Sequence, residues 1–150
     1  MDEKQKIVAT VGVVIFKNDD LESVCLVEHL AGAHHMTGTY GLPAGKIEPE
    51  EASVDAAVRE MQEETGLLAT PRDMVFLKRY FAVIEQKEGT KKFAWDVYIC
   101  RRYSGRLRAS EETRPQWIKM KDFVKINRFL PNVKNAVEEA RQIIRRERKI

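Results

Sequence analysis

The chain has 150 residues, 43% of them apolar and 33% charged, which fits one globular domain with one core and excludes a disordered or fibrous chain. No run approaches the roughly 18 uncharged apolar residues that a membrane span needs, and the opening MDEKQK leads into no signal-peptide core, so a cytoplasmic location is expected. The net charge of +3 hides an asymmetry: 11 basic against 17 acidic residues up to residue 100, and 15 against 6 beyond it.

In chain order, Ile7 to Phe16 is β-branched and almost uncharged, which predicts a buried strand. Asn18-Asp19-Asp20 is a turn, and Val24 to Val27 answers as the second strand of a hairpin. Ala31 to Gly45 is a loop with four glycines and a proline. Glu50 to Thr65 lacks Gly and Pro, crowds acids into its first turn and ends at Gly66, which predicts a helix. Met74 to Ile84 and Phe93 to Arg102 read as long strands around a charged turn, and Gln116 to Met120 as a short edge strand. Asn132 to Arg148 places Val133, Ala136, Val137, Ala140 and Ile144 at helical period. Cys25 and Cys100 fall inside apolar strands and read as buried free thiols of a reducing compartment. The pattern predicts an α/β protein: a mixed sheet flanked by helices on both faces, with no repeat or linker, over 1–150.

On the predicted helix, Glu60, Glu63 and Glu64 fall at i, i+3 and i+4, within an arc of roughly 100°. Three such like charges destabilise a bare helix, and a hard cation such as Mg²⁺ reverses that sign. The alternative is a solvated acidic face. Ser53, Ala56 and Ala57 share the acidic side and leave room for a ligand, while Val54, Val58 and Met61 lie elsewhere. Gly45 ends the loop, where a backbone carbonyl can approach an ion without a Cβ in the way.

The full spacing is Gly45, five residues, Glu51, seven residues, Arg59-Glu60-Met61-Gln62-Glu63-Glu64-Thr65-Gly66-Leu67. It resembles the Nudix hydrolases, matching their signature GX5EX7REUXEEXGU at every position. The resemblance implies an α/β/α sandwich and metal-dependent hydrolysis of a nucleoside diphosphate linked to another moiety. It also implies Mg²⁺, with Mn²⁺ as an alternative ion, on Glu60, Glu63, Glu64 and the Gly45 carbonyl. Glu51 and Arg59 would brace the loop against the helix, with Arg59 either catalytic or structural, and Gly66 would close the helix. The proton acceptor is left open between Glu63 and a glutamate from another loop.

Two more stretches resemble the MutT-like nucleoside triphosphate diphosphatases, some of which act on oxidised purine nucleotides. Ser110-Glu111-Glu112-Thr113-Arg114-Pro115-Gln116-Trp117 places Glu112 where that branch aims a loop glutamate at the metal site. Phe129-Leu130-Pro131-Asn132 lies where base-reading residues stand, and the Asn132 amide can pair bidentately with a purine edge; a helix N-cap is its other reading. The chain departs from the branch at Asn132-Val133, where an acidic pair is found, and at Glu28-His29, where Arg or Lys is common. Glu28 would repel phosphate unless it points away. The loop reads Pro43-Ala44-Gly45 where Pro-Gly-Gly is usual, so the backbone at Ala44 must tolerate a Cβ.

His29, His34 and His35 read as an ordinary loop cluster rather than a metal site, lacking a partner at ligand spacing. Phe93, Trp95, Tyr98 and Trp117 read as core aromatics that could alternatively stack on a base. The expected partner is a small nucleotide, with monomer and homodimer both open. Dinucleoside polyphosphates and ADP-ribose are the rival substrates; ADP-ribose is disfavoured because Ala82-Val83-Ile84 stands where a proline is usual. The basic tail raises an RNA-binding or RNA-end-processing reading, but it lacks the interleaved aromatics that nucleic-acid recognition needs.

Overall fold

The computed structural model describes residues 6–18, 20–30, 37–86 and 88–149; Asp19, His34 and His35 lie outside the described residues. Strand β1 is Ile7–Lys17 and β2 is Asp20–His29. They pair as a hairpin only beside their turn, Phe16 with Val24 and Lys17 with Asp20, and Asn18 supplies the left-handed backbone there (φ 47°). Earlier in its course β1 pairs antiparallel with β4 (Ala44–Lys46) and, on its other edge, parallel with β6 (Gly89–Cys100). Strand β5 (Met74–Gln86) forms a long hairpin with β6 and is the outer strand. Strands β3 (Tyr40–Gly41) and β7 (Thr113–Lys119) both pair with β2. The sheet is mixed, as expected, but β3 and β4 sit inside the stretch predicted to be loop. Runs of two and three residues are too short to show alternation.

Helix α1 (Ser53–Thr65) covers one face and α3 (Val133–Arg148) the other, with a single turn, α2 (Met120–Phe123), between β7 and α3. The period of two in β1 sends Val11, Val13 and Ile15 toward Ala56, Ala57 and Met61 of α1, and Val14 and Phe16 toward Val133, Ala136, Val137, Ala140 and Ile144 of α3. Each fully buried Val or Ile contributes roughly 1.5–3 kcal/mol. Both cysteines are free and buried, and burial pushes the Cys100 thiol up to about 11. Among the described residues, no helix is long and apolar enough to cross a membrane.

Two expectations are corrected. Helix α1 starts at Ser53, not Glu50: Pro49 precedes Glu50, whose backbone is left-handed (φ 65°), so Glu50 and Glu51 belong to a turn before the helix. Ala56 and Ala57 do not make room for a ligand. Both are fully buried in the cluster that joins α1 to β1, and their small side chains let the helix approach the sheet closely.

Candidate active site

The first residue of α1 is tied to the sheet. Ser53 Oγ donates to Asp96 Oδ2 at 3.1 Å and shares a 2.7 Å hydrogen bond with the Tyr98 hydroxyl. Asp96 is buried and takes Arg79 Nε at 2.6 Å and Nη2 at 3.2 Å. At the other end, Thr65 Oγ1 donates to the Met61 carbonyl and accepts the Leu67 N–H. Gly66 closes the helix in the left-handed region (φ 84°), where a Cβ would also meet the Arg106 carbonyl at 2.8 Å. The helix that carries the acidic cluster is thus fixed at both ends.

Arg59 is the hub of that cluster. Its Nε and Nη2 reach Glu51 Oε2 and Oε1, each at 2.8 Å, and Nη2 also donates to the Lys46 carbonyl at 3.0 Å. Nη1 spans Glu60 Oε1 at 2.7 Å and Glu63 Oε2 at 3.4 Å. The guanidinium holds the Glu51 carboxyl down at about 2. The geometry is that of a brace between the turn after β4 and the helix.

Glu60 and Glu64 both face β4. The Glu60 carboxylate packs where a Cβ on Gly45 would stand, which gives Gly45 a reason beyond the one read from sequence: a side chain there would displace Glu60. Glu64 Oε1 accepts the Ala44 N–H at 2.7 Å, and the Ala44 backbone has no positive φ. Burial, against the relief of that bond and reinforced by the charges of Glu60 and Glu63, pushes the Glu64 carboxyl up to about 7. Burial also raises Glu60, while Glu63 stays exposed. Among the described residues, no three His, Cys, Asp or Glu side chains converge on one point; Arg59 Nη1 supplies the positive charge between Glu60 and Glu63. A hard-oxygen donor set, with burial raising Glu60 and Glu64 and a side-chain cation already bridging Glu60 and Glu63, fits a divalent ion.

A cavity of about 740 Å³ opens beside this cluster. Ala44, Gly45, Lys46 and Glu64 line one part of it; Glu112 and Thr113, ahead of and starting β7, line another, and Leu130, Pro131 and Asn132 a third. Glu112 and Asn132 therefore share one cavity with Gly45 and Glu64. Phe93 and Trp95 of β6 line it as well, Trp95 lying over Gly12, where a Cβ would come within 2.5 Å of the indole. Tyr98 is buried and Trp117 packs against Tyr103 at 5.7 Å, so these two aromatics belong to the core.

Asn132 precedes α3 with a left-handed backbone (φ 66°), but its side chain makes no cap bond. It donates instead to the Phe81 carbonyl at 3.3 Å. The capping role weighed from sequence is not the one adopted. Glu28 accepts Arg114 Nη2 at 2.6 Å and Gln116 Nε2 at 2.9 Å, so its charge is matched by an arginine directly across the β2–β7 ladder. His29 lines the cavity, and burial lowers its imidazole pKa. The sequence reading passes over two charged residues of the cavity, Lys46 and Glu85. Adjacency to Gly45 is a signal for the first; nothing in the charged β5–β6 turn region distinguishes the second.

The comparisons agree with this geometry. Residues 6–146 match the family model described as the NUDIX domain. Over 108 residues the chain is 32% identical to mouse "8-oxo-dGDP phosphatase NUDT18", covering 72% of this chain but 30% of that protein. It is 35% identical over 88 residues to "Phosphatase NudJ" of Shigella boydii, covering 49% of this chain and 58% of that one. The chain thus spans about a third to somewhat over half the length of these relatives. A MutT NUDIX hydrolase from Burkholderia pseudomallei superimposes with a TM-score of 0.74 at 20% identity, over 90% of this chain and 98% of that one, which establishes the shared fold. With the α/β/α sandwich, the unbroken glutamate signature and the family match over nearly its whole length, this chain belongs to the NUDIX domain family.

Proposed function

We propose that this chain hydrolyses a phosphoric anhydride bond in a small nucleotide, converting a nucleoside triphosphate to the monophosphate and pyrophosphate in the manner of the MutT-like branch. The carrying observation is the single cavity that holds Gly45 and Glu64 together with Glu112, Trp95 and Asn132. Glu60, Glu63, Glu64 and the Gly45 carbonyl would hold Mg²⁺ or Mn²⁺, which when bound supplies charge neutralisation at the phosphates and a more acidic water. Glu63 or Glu112 takes the proton of the attacking water. Arg59 positions the turn and the helix and does not touch substrate. Asn132, oriented by its bond to the Phe81 carbonyl, keeps its Oδ1 and second amide hydrogen for a base edge, and Trp95 and Phe93 give the base an apolar wall. The setting is a cytosolic enzyme acting as a monomer or homodimer.

A nucleoside diphosphate substrate is the second reading. Among the described residues, Lys46 is the one lysine or arginine lining the cavity, against Glu64, Glu85 and Glu112, so little side-chain charge awaits a long phosphate tail. The name of the mouse relative points the same way.

The test is a panel of nucleoside tri- and diphosphates, dinucleoside polyphosphates and ADP-ribose with Mg²⁺, scored by product. Release of pyrophosphate from a triphosphate is expected, with Glu63→Gln slower by several orders of magnitude and still folded. Phosphate release from diphosphates alone would establish the second reading, and equal turnover by Glu63→Gln would refute the assignment of the metal-binding glutamates.

A further inference from the structure

Strands β1 and β6 run parallel and end together, Ile15 beside Cys100. Past that point their continuations part: β1 turns at Asn18 into β2, and β6 exits through Arg101, Arg102 and Tyr103. In open α/β sheets, ligands bind in the crevice beyond the carboxyl ends of parallel strands where the connections diverge, and β1 with β6 is the parallel pair of this mixed sheet. The large cavity lies elsewhere, lined by Thr10, Phe93 and Trp95 from earlier in the same two strands. At the diverging ends there is a second cavity of about 180 Å³, and no residue lines both.

Its floor is apolar and buried, formed by Phe16, Leu21 and Ile144. Its polar walls are Arg101, Arg102 and Arg148 with Asn18 and Tyr103, and among the described residues no Asp or Glu lines it. The Tyr103 hydroxyl accepts the Asn18 N–H at 3.0 Å, which joins two walls. Arg101 carries Glu147 at 2.8 Å; Asp73, whose carboxyl is held down chiefly by the Thr70 N–H and hydroxyl, also feels Arg102. Arginines at the end of a helix answer its dipole, but that accounts for Arg148 alone. Arg101 and Arg102 directly follow β6, and the strand exit and the helix bring three arginines to one concavity.

From this convergence we infer a second ligand site, selective for a small oxyanion of the phosphate class. The volume falls below the roughly 300–1,000 Å³ of pockets that enclose drug-sized ligands, so the cavity encloses a phosphate-sized group and not a whole nucleotide. The planar forks of several arginines match the oxygens of phosphate. The site is independent of the chemistry proposed for the large cavity.

Inorganic pyrophosphate is the probe, titrated into the full chain in metal-stripped buffer and followed by calorimetry and by amide shifts in a ¹⁵N-labelled sample. Saturable binding is expected, with shifts at Asn18 and at Arg101, Arg102 and Tyr103. Arg102→Ala combined with Arg148→Ala should weaken it at least tenfold with the melting temperature retained, whereas Glu64→Gln should leave it unchanged. No saturation at millimolar pyrophosphate, shifts confined to the residues of the large cavity, or equal affinity in the double variant would each overturn the site. So would tight binding of a single-stranded RNA oligonucleotide that pyrophosphate does not displace.

Discussion

Arg59 holds both oxygens of Glu51, Nε and Nη2 each at 2.8 Å, and the same guanidinium spans Glu60 and Glu63 through Nη1. One side chain therefore sets the turn, the helix and the spacing of two carboxylates. Lysine cannot reproduce a fork of this kind. Arg59→Lys is expected to cost about 1–3 kcal/mol in denaturant unfolding, and its activity should fall even where the protein is fully folded. A variant as stable and active as the parent would show the brace to be dispensable.

The same pair fixes an acid dependence. Glu51 lies at about 2 in the folded chain against an ordinary 4.5, so the folded state resists protonation there. Its contribution is complete above pH 4.5 and is lost as pH falls through 2. Glu51→Gln should lower the melting temperature at pH 6 and flatten its decline between pH 4.5 and 2. A parallel decline in both proteins would place the acid sensitivity in other groups.

Gly45→Ala asks Glu60 to move. The clash is with the end of a flexible side chain, so the fold should survive with a melting temperature within a few degrees of the parent. The carboxylate, however, leaves its place between Arg59 and β4. Metal-dependent kcat is expected to fall at least tenfold, and unchanged kcat would mean that the position of Glu60 is immaterial.

Glu111 and Glu112 are adjacent exposed acids, yet Glu112 alone of the two lines the large cavity. Glu112→Gln should lower kcat by tenfold or more with a smaller change in KM, while Glu111→Gln should stay near the parent. Small equal effects would leave Glu63 as the proton acceptor.

For Asn132, glycine is the informative replacement, since it accepts the left-handed backbone and removes the amide. Losing the bond to Phe81 should cost roughly 0.5–1.5 kcal/mol for every substrate alike. A changed ratio of kcat/KM between purine and pyrimidine nucleotides is the expected sign of base reading; a constant ratio would move that role to Trp95 or Glu85.

Most elements were legible because their signal is local. The β-branched, nearly uncharged run of β1, the apolar stripe of α3 and the glycine after α1 each leave a mark within one segment. What the sequence hides is contact between distant segments. Nothing near Glu28 shows that Arg114 will stand across from it, and nothing near Asn132 shows that its amide will turn to Phe81 rather than to its own helix. The glutamates were legible as a set, but the placement of Arg59 between two of them depends on Glu51 and Lys46, which the turn before the helix brings back. The start of α1 was misplaced because Glu50 and Glu51 resemble a helix first turn in composition, whereas the left-handed Glu50 delays the helix.

The parallel pairing of β1 with β6 also constrains how the chain folds. Thr10 and Ala94 meet across 84 residues, while the β5–β6 hairpin, from Gln86 beside Gly89 to Met74 beside Cys100, is local. Local pairings form before distant ones, because closing a long loop costs entropy before any contact rewards it. The hairpin and α1 can assemble while β1 waits, and until β1 arrives the inner edge of β6 is bare. During synthesis β1 emerges before β6 and can pair with β2 and β4, but its other edge stays open until β6 follows, so the strand that organises both faces of the core is the last to have both edges satisfied. Refolding should accordingly be limited by the docking of β1, and a destabilising change at Val13 should slow folding rather than hasten unfolding.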